Sequence, residues 1–430
     1  MLSTRRRWLG LVGATAASAF SSKLSFATGI EITGRSSPLL KSIDDAIADF
    51  MKANSVPSAS VAISQSNKLV YARGFGFLDS NAKEAVSPTS LFRIASISKP
   101  ITAVAILKLV QQKALSLDDK IVSFLQLRKP KDPRWKSVTV RQLLHHTGGW
   151  DSKASYDPMF HFRTIAKDEQ LSFPLSHQDL IEYMLDQSLD FEPGSKYAYS
   201  NFGYCLLGRI IEKATKTNYE TYVQDAIFQP LGITRPRIGK TLSQDRFPTE
   251  VKYHDVSDRK GTPVVATEEN LVPWPYGVWD LGAMDSHGGW VASSTDLVRF
   301  ACELDPVKKN RSLDSDLIQE MFSPPGETVE GHSPNVSYGY GWQVRTIDAK
   351  RKNVWHTGRL DGTAALLVRR HDGFNWAVLF NKAVNSTGTY LIDIADPLMH
   401  KIVDSVKRWP STDLFSDYFS KKPQLLMEAN

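Results

Sequence analysis

"FRIASISKPITAVAILKLV", residues 92–110, sets Ser96 three residues before Lys99 and follows them with a run that is apolar on nearly every side. Residues three apart share a helix face, and a helix apolar all round is buried inside a protein. Pro100 suits a first helical turn, where the N–H groups have no intrahelical partner. A serine hydroxyl becomes a nucleophile only beside a base; Lys99 is in position to be one. The helix N-terminus adds free N–H groups and the positive end of a dipole. The spacing recurs at Ser80/Lys83 and Ser257/Lys260, but there in polar stretches that read as solvated turns with no buried helix behind them.

The texture on either side fixes the fold class. Upstream, "PLLKSIDDAIADFMK" (38–52) has helical spacing of Leu39, Ile43, Ile47 and Phe50, and "SASVAISQSNKLVYARGFGF" reads as a β-hairpin. From about 115 to 285 helical patterns alternate with loops rich in Pro, Gly and aromatics. "GGWVASSTDLVRFACEL" then gives a turn and a helix capped by Ser294 or Thr295, and "YGYGWQVRT", "NVWHTGR", "TAALLVRRHDG" and "FNWAVLFNK" give four strands in quick succession. Short links favour antiparallel pairing. A last helix, "YLIDIADPLMHKIVDSVKRW", is interrupted at Pro397. The expectation is an α/β fold. An antiparallel sheet flanked by helices (about 38–95 and 286–408) receives a mostly helical insertion (about 96–285), with a C-terminal tail from about 409 and the active site at the junction.

At 430 residues and 42% hydrophobic composition the chain is globular. Residues 1–27 have a basic head, an apolar segment and small residues, the pattern of an export signal cleaved after Ala19 or Ala27. Thr4-Arg5-Arg6-Arg7-Trp8-Leu9 is of twin-arginine type. This predicts a periplasmic or extracellular protein with no membrane span after signal removal. The net charge of +6 includes Arg5, Arg6, Arg7 and Lys23 with no acid among these 27 residues, so the remainder carries +2 (6 − 4). No basic stripe suggests a nucleic-acid partner. Cys205 and Cys302 lie in apolar helical stretches and read as buried free thiols. The adjacent His145 and His146 point apart on a helix and lack companion ligands at metal spacing, so no metal and no cofactor is expected.

Two later motifs complete a pattern. Tyr199-Ser200-Asn201 follows a Pro-Gly turn and precedes a helix; His356-Thr357-Gly358 lies on a late strand. A second His-Thr-Gly, at 146–148, falls before the tyrosine and resembles a structural turn. In this order Ser96-x-x-Lys99, Tyr199-x-Asn201 and His356-Thr357-Gly358 resemble the serine β-lactamase and penicillin-recognising family, in its class C, DD-peptidase and esterase branch. The resembling stretches span residues 38 to 405, and Ser96 has no G-x-S-x-G elbow around it.

The resemblance implies that Ser96 is acylated and that Lys99 and Tyr199 share the proton transfers, the tyrosine being open to stabilisation as a phenolate. It implies that Asn201 orients the lysine and a substrate amide. The strand bearing His356, Thr357, Gly358 and Arg359 would pair with substrate, and the N–H groups of Ser96 and Arg359 would form the oxyanion hole. His356 stands where class C β-lactamases carry lysine, and Arg359 where small residues are common. A partly charged imidazole holds a carboxylate less firmly than lysine unless Arg359 assists. The implied activity is hydrolysis of a small-molecule or peptide ester or amide, as an esterase or D-amino-acid peptidase or carboxypeptidase with at most weak β-lactamase action. The alternative is a penicillin-binding sensor without turnover, or a cell-wall binder stacking sugars on Trp274, Tyr276, Trp279 and Trp290. No oligomeric state is predicted.

Overall fold

The structure, a computed structural model, describes residues 29–419 except 80–82, 266–269, 306–307, 309–310, 327–328, 332–334 and 349. The export signal and Ser80 therefore lie outside the described residues. An eight-stranded sheet runs in the order Ile32–Thr33, Lys68–Gly76, Ser58–Gln65, Phe374–Phe380, Thr363–Arg369, Lys352–Leu360, Gln343–Thr346, Val336–Tyr338, antiparallel throughout. The α/β class and the antiparallel sheet are as expected.

The central strands are buried on both faces, which explains why "TAALLVR" and "NWAVLF" run on apolar instead of alternating. The helix Ser294–Glu303 packs on Ser58–Gln65 and Phe374–Phe380. Leu391–Ser405 packs on Thr363–Arg369 and on Lys41–Asn54. The cap of Ser294–Glu303 is Ser293, one residue before Ser294 and two before Thr295, the two residues expected to cap it. Its side chain and that of Asp296 form a reciprocal capping box. Leu391–Ser405 continues through Pro397 without a break.

Between the sheet's two sequence halves lie the helices Ser98–Gln111 and Asn201–Thr215, packed together. Eleven residues of Ser98–Gln111 are buried, from Ser98 to Leu109, as its all-round apolar sequence requires. One apolar cluster is continuous from the sheet (Ala62, Leu367, Ala377) to these helices (Ile101, Ile106, Leu206). A small three-stranded sheet, Phe92–Arg93, Trp290–Ala292 and Arg237–Ile238, ties the segment before Ser96 to the loop before Ser294–Glu303. Leu414, Phe415 and Phe419 join the core, and Leu414 N–H donates to the Leu69 carbonyl at 2.8 Å. Cys205 and Cys302 are free and buried. Among the described residues no helix is long and apolar enough to cross a membrane.

Candidate active site

Ser96 sits in a single 3₁₀ turn, Ala95–Ile97, immediately before the buried helix. Ala95 has φ +46°, a left-handed conformation that costs an L-residue energy and persists only where the surroundings impose it. Here Trp279, Leu281, Met284 and Leu360 pack on Ala95, while its carbonyl accepts from Ser98 Oγ at 2.7 Å. The turn thus holds Ser96 just ahead of the N-terminus of the helix Ser98–Gln111. The strand Lys352–Leu360 comes against it so closely that a Cβ on Gly358 would stand 2.0 Å from the Ile94 carbonyl oxygen, so only glycine fits.

Lys99 is fully buried. Its Nζ lies 3.1 Å from Ser96 Oγ, 2.7 Å from Asn201 Oδ1 and 2.9 Å from the His287 carbonyl oxygen. Burial holds its pKa well below the ordinary lysine value, with Asp157 acting in the opposite direction. Asn201 opens the helix Asn201–Thr215, behind the cap Ser200, and its Nδ2 donates to Asp157 Oδ2 at 2.6 Å. That bond fixes which way the amide faces, turning Oδ1 toward Lys99. Burial pushes the Asp157 carboxyl up.

Tyr199 is hydrogen-bonded to Ser96, and its ring lies 4.7 Å from Lys99 Nζ. It is packed near His146 and Tyr338, and burial pushes the phenol well above its usual range. This direction favours the protonated phenol over the phenolate.

His356 is also neutral, because burial and the proximity of Lys99 bring it down to about 3. Its Nδ1 faces the Thr357 carbonyl at 2.7 Å and so carries the hydrogen, leaving Nε2 to accept from the Tyr338 hydroxyl at 2.9 Å. Arg359 pairs with Asp393 and lies over the Tyr390 ring. His145 and His146 hold a loop, His145 Nδ1 against the Tyr338 carbonyl at 3.0 Å and His146 Nδ1 accepting from Ser200 N–H at 3.2 Å. Among the described residues no group of three or more His, Cys, Asp or Glu is arranged for a metal.

A cavity of about 370 Å³ is lined by six of the eight nominated residues: Ser96, Tyr199, Asn201, His356, Thr357 and Arg359. Lys99 lies behind Ser96, and Gly358 faces the nucleophile turn. Of the aromatics expected as a sugar platform, Tyr276, Trp279 and Trp290 are 2%, 4% and 0% exposed, and Trp274 Nε1 donates to Asp361 at 2.7 Å. Of the other serine–lysine pairs, Ser257 and Lys260 are exposed. Sequence reading missed Asp157, the His287 carbonyl and Tyr338. None of these sits at a motif spacing, and a carbonyl has no signature in the residue letters.

With this geometry, a family model described as Beta-lactamase matches residues 43–395. Penicillin-binding protein 4* of Bacillus subtilis is 29% identical over 327 residues, 73% of this chain and 66% of that protein, so the chain spans just under two thirds of that relative's length. Among solved structures, the octameric penicillin-binding protein homologue from Pyrococcus abyssi is similar with TM-score 0.63 and 25% identity, covering 84% of this chain and 77% of that one. The D-amino acid amidase from Ochrobactrum anthropi SV3 shares the fold with TM-score 0.66 and 22% identity over 86% and 99% of the two chains. The family match over most of the sheet and the whole helical region, from before the Ser96 turn to beyond the His356 strand, makes this chain a member of the beta-lactamase family.

Proposed function

We propose that this protein is an exported hydrolase that cleaves an uncharged ester or amide through an acyl-enzyme on Ser96. The observation that carries the reading is the set of three atoms around Lys99 Nζ. Asn201 Oδ1 and the His287 carbonyl can only accept, so a neutral Lys99 spends both N–H bonds on them. Its lone pair is then left facing Ser96, whose hydroxyl donates. The lysine is a base held in one orientation by two acceptors.

In the first step Ser96 Oγ bonds to the substrate carbonyl carbon as its proton passes to Lys99. The C–O or C–N bond then breaks, and the leaving group takes a proton from Tyr199, which is restored from Lys99. In the second step water loses a proton to the same pair, attacks the acyl carbon and releases the acid. The N–H groups of Ser96 and Arg359 serve the oxyanion, worth about 3 to 4 kcal/mol per donor in acyl transfer.

The electrostatics support an uncharged substrate. His356 is neutral, and the one charged side chain lining the cavity, Arg359, is countered by Asp393. A carboxylate beside the scissile bond, as in a penicillin or at a peptide C-terminus, lacks an unshared cation. This favours an esterase or a D-amino-acid amidase over an efficient β-lactamase or carboxypeptidase. Export rests on the N-terminal 27 residues.

Intact-mass measurement after exposure to an activated ester and, separately, to penicillin, alongside turnover, tests the reading. The expected result is rapid ester turnover and slow penicillin acylation, both lost in Ser96→Ala. A stable penicillin adduct with no ester turnover would instead indicate the sensor. A folded protein that forms no adduct and hydrolyses neither reagent is not a hydrolase of this kind.

A further inference from the structure

Past Arg359 the catalytic cavity adjoins a second one of about 530 Å³, and the two share Phe160, Arg359 and Leu360 as walls. This is the size of a small-molecule site. Its remaining wall is mainly apolar, including Phe162, Val264, Trp274, Val278 and Trp279. The charges around it are largely matched. Arg359 is paired with Asp393, and Asp361 accepts from Arg259 at 3.1 Å and from Trp274 Nε1 at 2.7 Å. Arg163 stands exposed at the rim, near the Phe173 ring.

The position of the proton donors decides what enters. Tyr199 and Asn201 line the first cavity, with Lys99 behind them, and none of the three lines the second. A leaving group has to reach Tyr199 or Lys99 to be protonated, so it stays in the first cavity. The other substituent of the same carbonyl carbon, the acyl part, is the one that can extend along the strand past Arg359 and Leu360. We infer that the second cavity is an acyl-binding pocket that takes an uncharged, apolar acyl group, of medium-chain alkyl or arylalkyl type, and so sets the enzyme's specificity. This rests on the acyl-enzyme reading above.

The test compares p-nitrophenyl acetate with p-nitrophenyl octanoate on the full chain, in wild type, Ser96→Ala, Val278→Trp and Thr164→Trp. Each buried methylene is worth about three- to fourfold in kcat/KM. The octanoate-to-acetate ratio should therefore exceed about tenfold in wild type, and fall by about tenfold or more when tryptophan fills the pocket. Val278 lies in the wall and Thr164 on the exposed rim, so the second variant keeps the test valid if the first does not fold. Ser96-dependent acetate hydrolysis with no chain-length gain, or a ratio unmoved in both folded tryptophan variants, overturns the pocket and leaves the acyl-enzyme intact. Absence of any Ser96-dependent hydrolysis overturns both.

Discussion

Lys99 and Arg359 are both cations by residue type, and their surroundings put them to opposite uses. Burial pushes the pKa of Lys99 well below the ordinary lysine value, and Asp157, one residue beyond Asn201 in the hydrogen-bond chain, restores part of the preference for the charged form. Asp157→Asn keeps an acceptor for the Asn201 amide but removes that pull, so the lysine pKa falls further. Because protonated Lys99 is inactive, the acid limb of kcat/KM for a neutral ester is expected to move to lower pH; a limb that stays put or rises means that Asp157 does not act on Lys99. Arg359 keeps its charge but shares it with Asp393, and both are partly exposed at 38% and 52%. A pair so exposed contributes little to stability. Asp393→Asn should therefore leave the melting temperature nearly unchanged while raising acylation by penicillin, relative to a neutral ester, by up to about tenfold. An unchanged ratio in competition assays would show that Arg359 does not reach a substrate carboxylate. These two residues also mark how far the site is legible in sequence. Ser96, Lys99, Tyr199 and Asn201 meet through side chains that belong to motifs of short fixed spacing. Asp157 lies 44 positions before Asn201, and the His287 ligand is a backbone carbonyl that any residue could supply.

At the scale of elements, the nucleophile helix was readable because burial on all sides forces an apolar sequence, and the central strands because both their faces are covered. The small sheet of Phe92–Arg93, Trp290–Ala292 and Arg237–Ile238 was not readable. Its strands are two or three residues long and hold together through partners 52 to 200 positions away, leaving no local period to detect. Yet this sheet, with the Ile94 N–H donating to the Trp290 carbonyl at 3.0 Å, sets the height of the Ser96 turn against the Lys352–Leu360 strand. The contact that closes this arrangement is Gly358 on Ile94. A methyl group there would need 2.0 Å to become more than 3 Å, so Gly358→Ala must displace the strand from the nucleophile by about 1 Å. A misplacement of that size costs about 10²-fold in rate. The variant is expected to remain folded by circular dichroism, to melt at lower temperature and to lose kcat/KM for a neutral ester by about that factor. Activity within twofold of wild type would show that the strand need not approach so closely.

In the whole molecule, the two ends of the sequence share one sheet. Ser58–Gln65 pairs with Phe374–Phe380 through partners such as Val61 and Val378, a pairing across more than 300 residues that no periodicity announces. The antiparallel class was legible; the strand order was not, since it depends on which apolar faces meet once the helical insertion has folded out of the way. The junction enclosed by this sheet and the helices buries three imidazoles, His146, His287 and His356, each 2% exposed or less and each held below the ordinary histidine pKa by loss of solvent. Above about pH 6.5 these rings are neutral in both folded and unfolded chains. Below that value the unfolded chain binds protons that the folded one refuses, so each ring makes stability fall with falling pH until its folded pKa is reached. For His356 the window runs from about 6.5 down to about 3, with a slope of about 1.4 kcal/mol per pH unit. Buried carboxyls raised by desolvation, Asp157 and Glu250, act with the opposite sign at the low end of the same window, so the total slope mixes both. A single substitution isolates one ring. His356→Gln retains an acceptor for the Tyr338 hydroxyl but cannot titrate, and its destabilisation relative to wild type should shrink by about 2 kcal/mol between pH 7 and pH 5, read from urea unfolding of both proteins. A difference that stays constant across that range would mean that His356 titrates alike in both states, and the neutral imidazole on which the uncharged cleft depends would have to be given up.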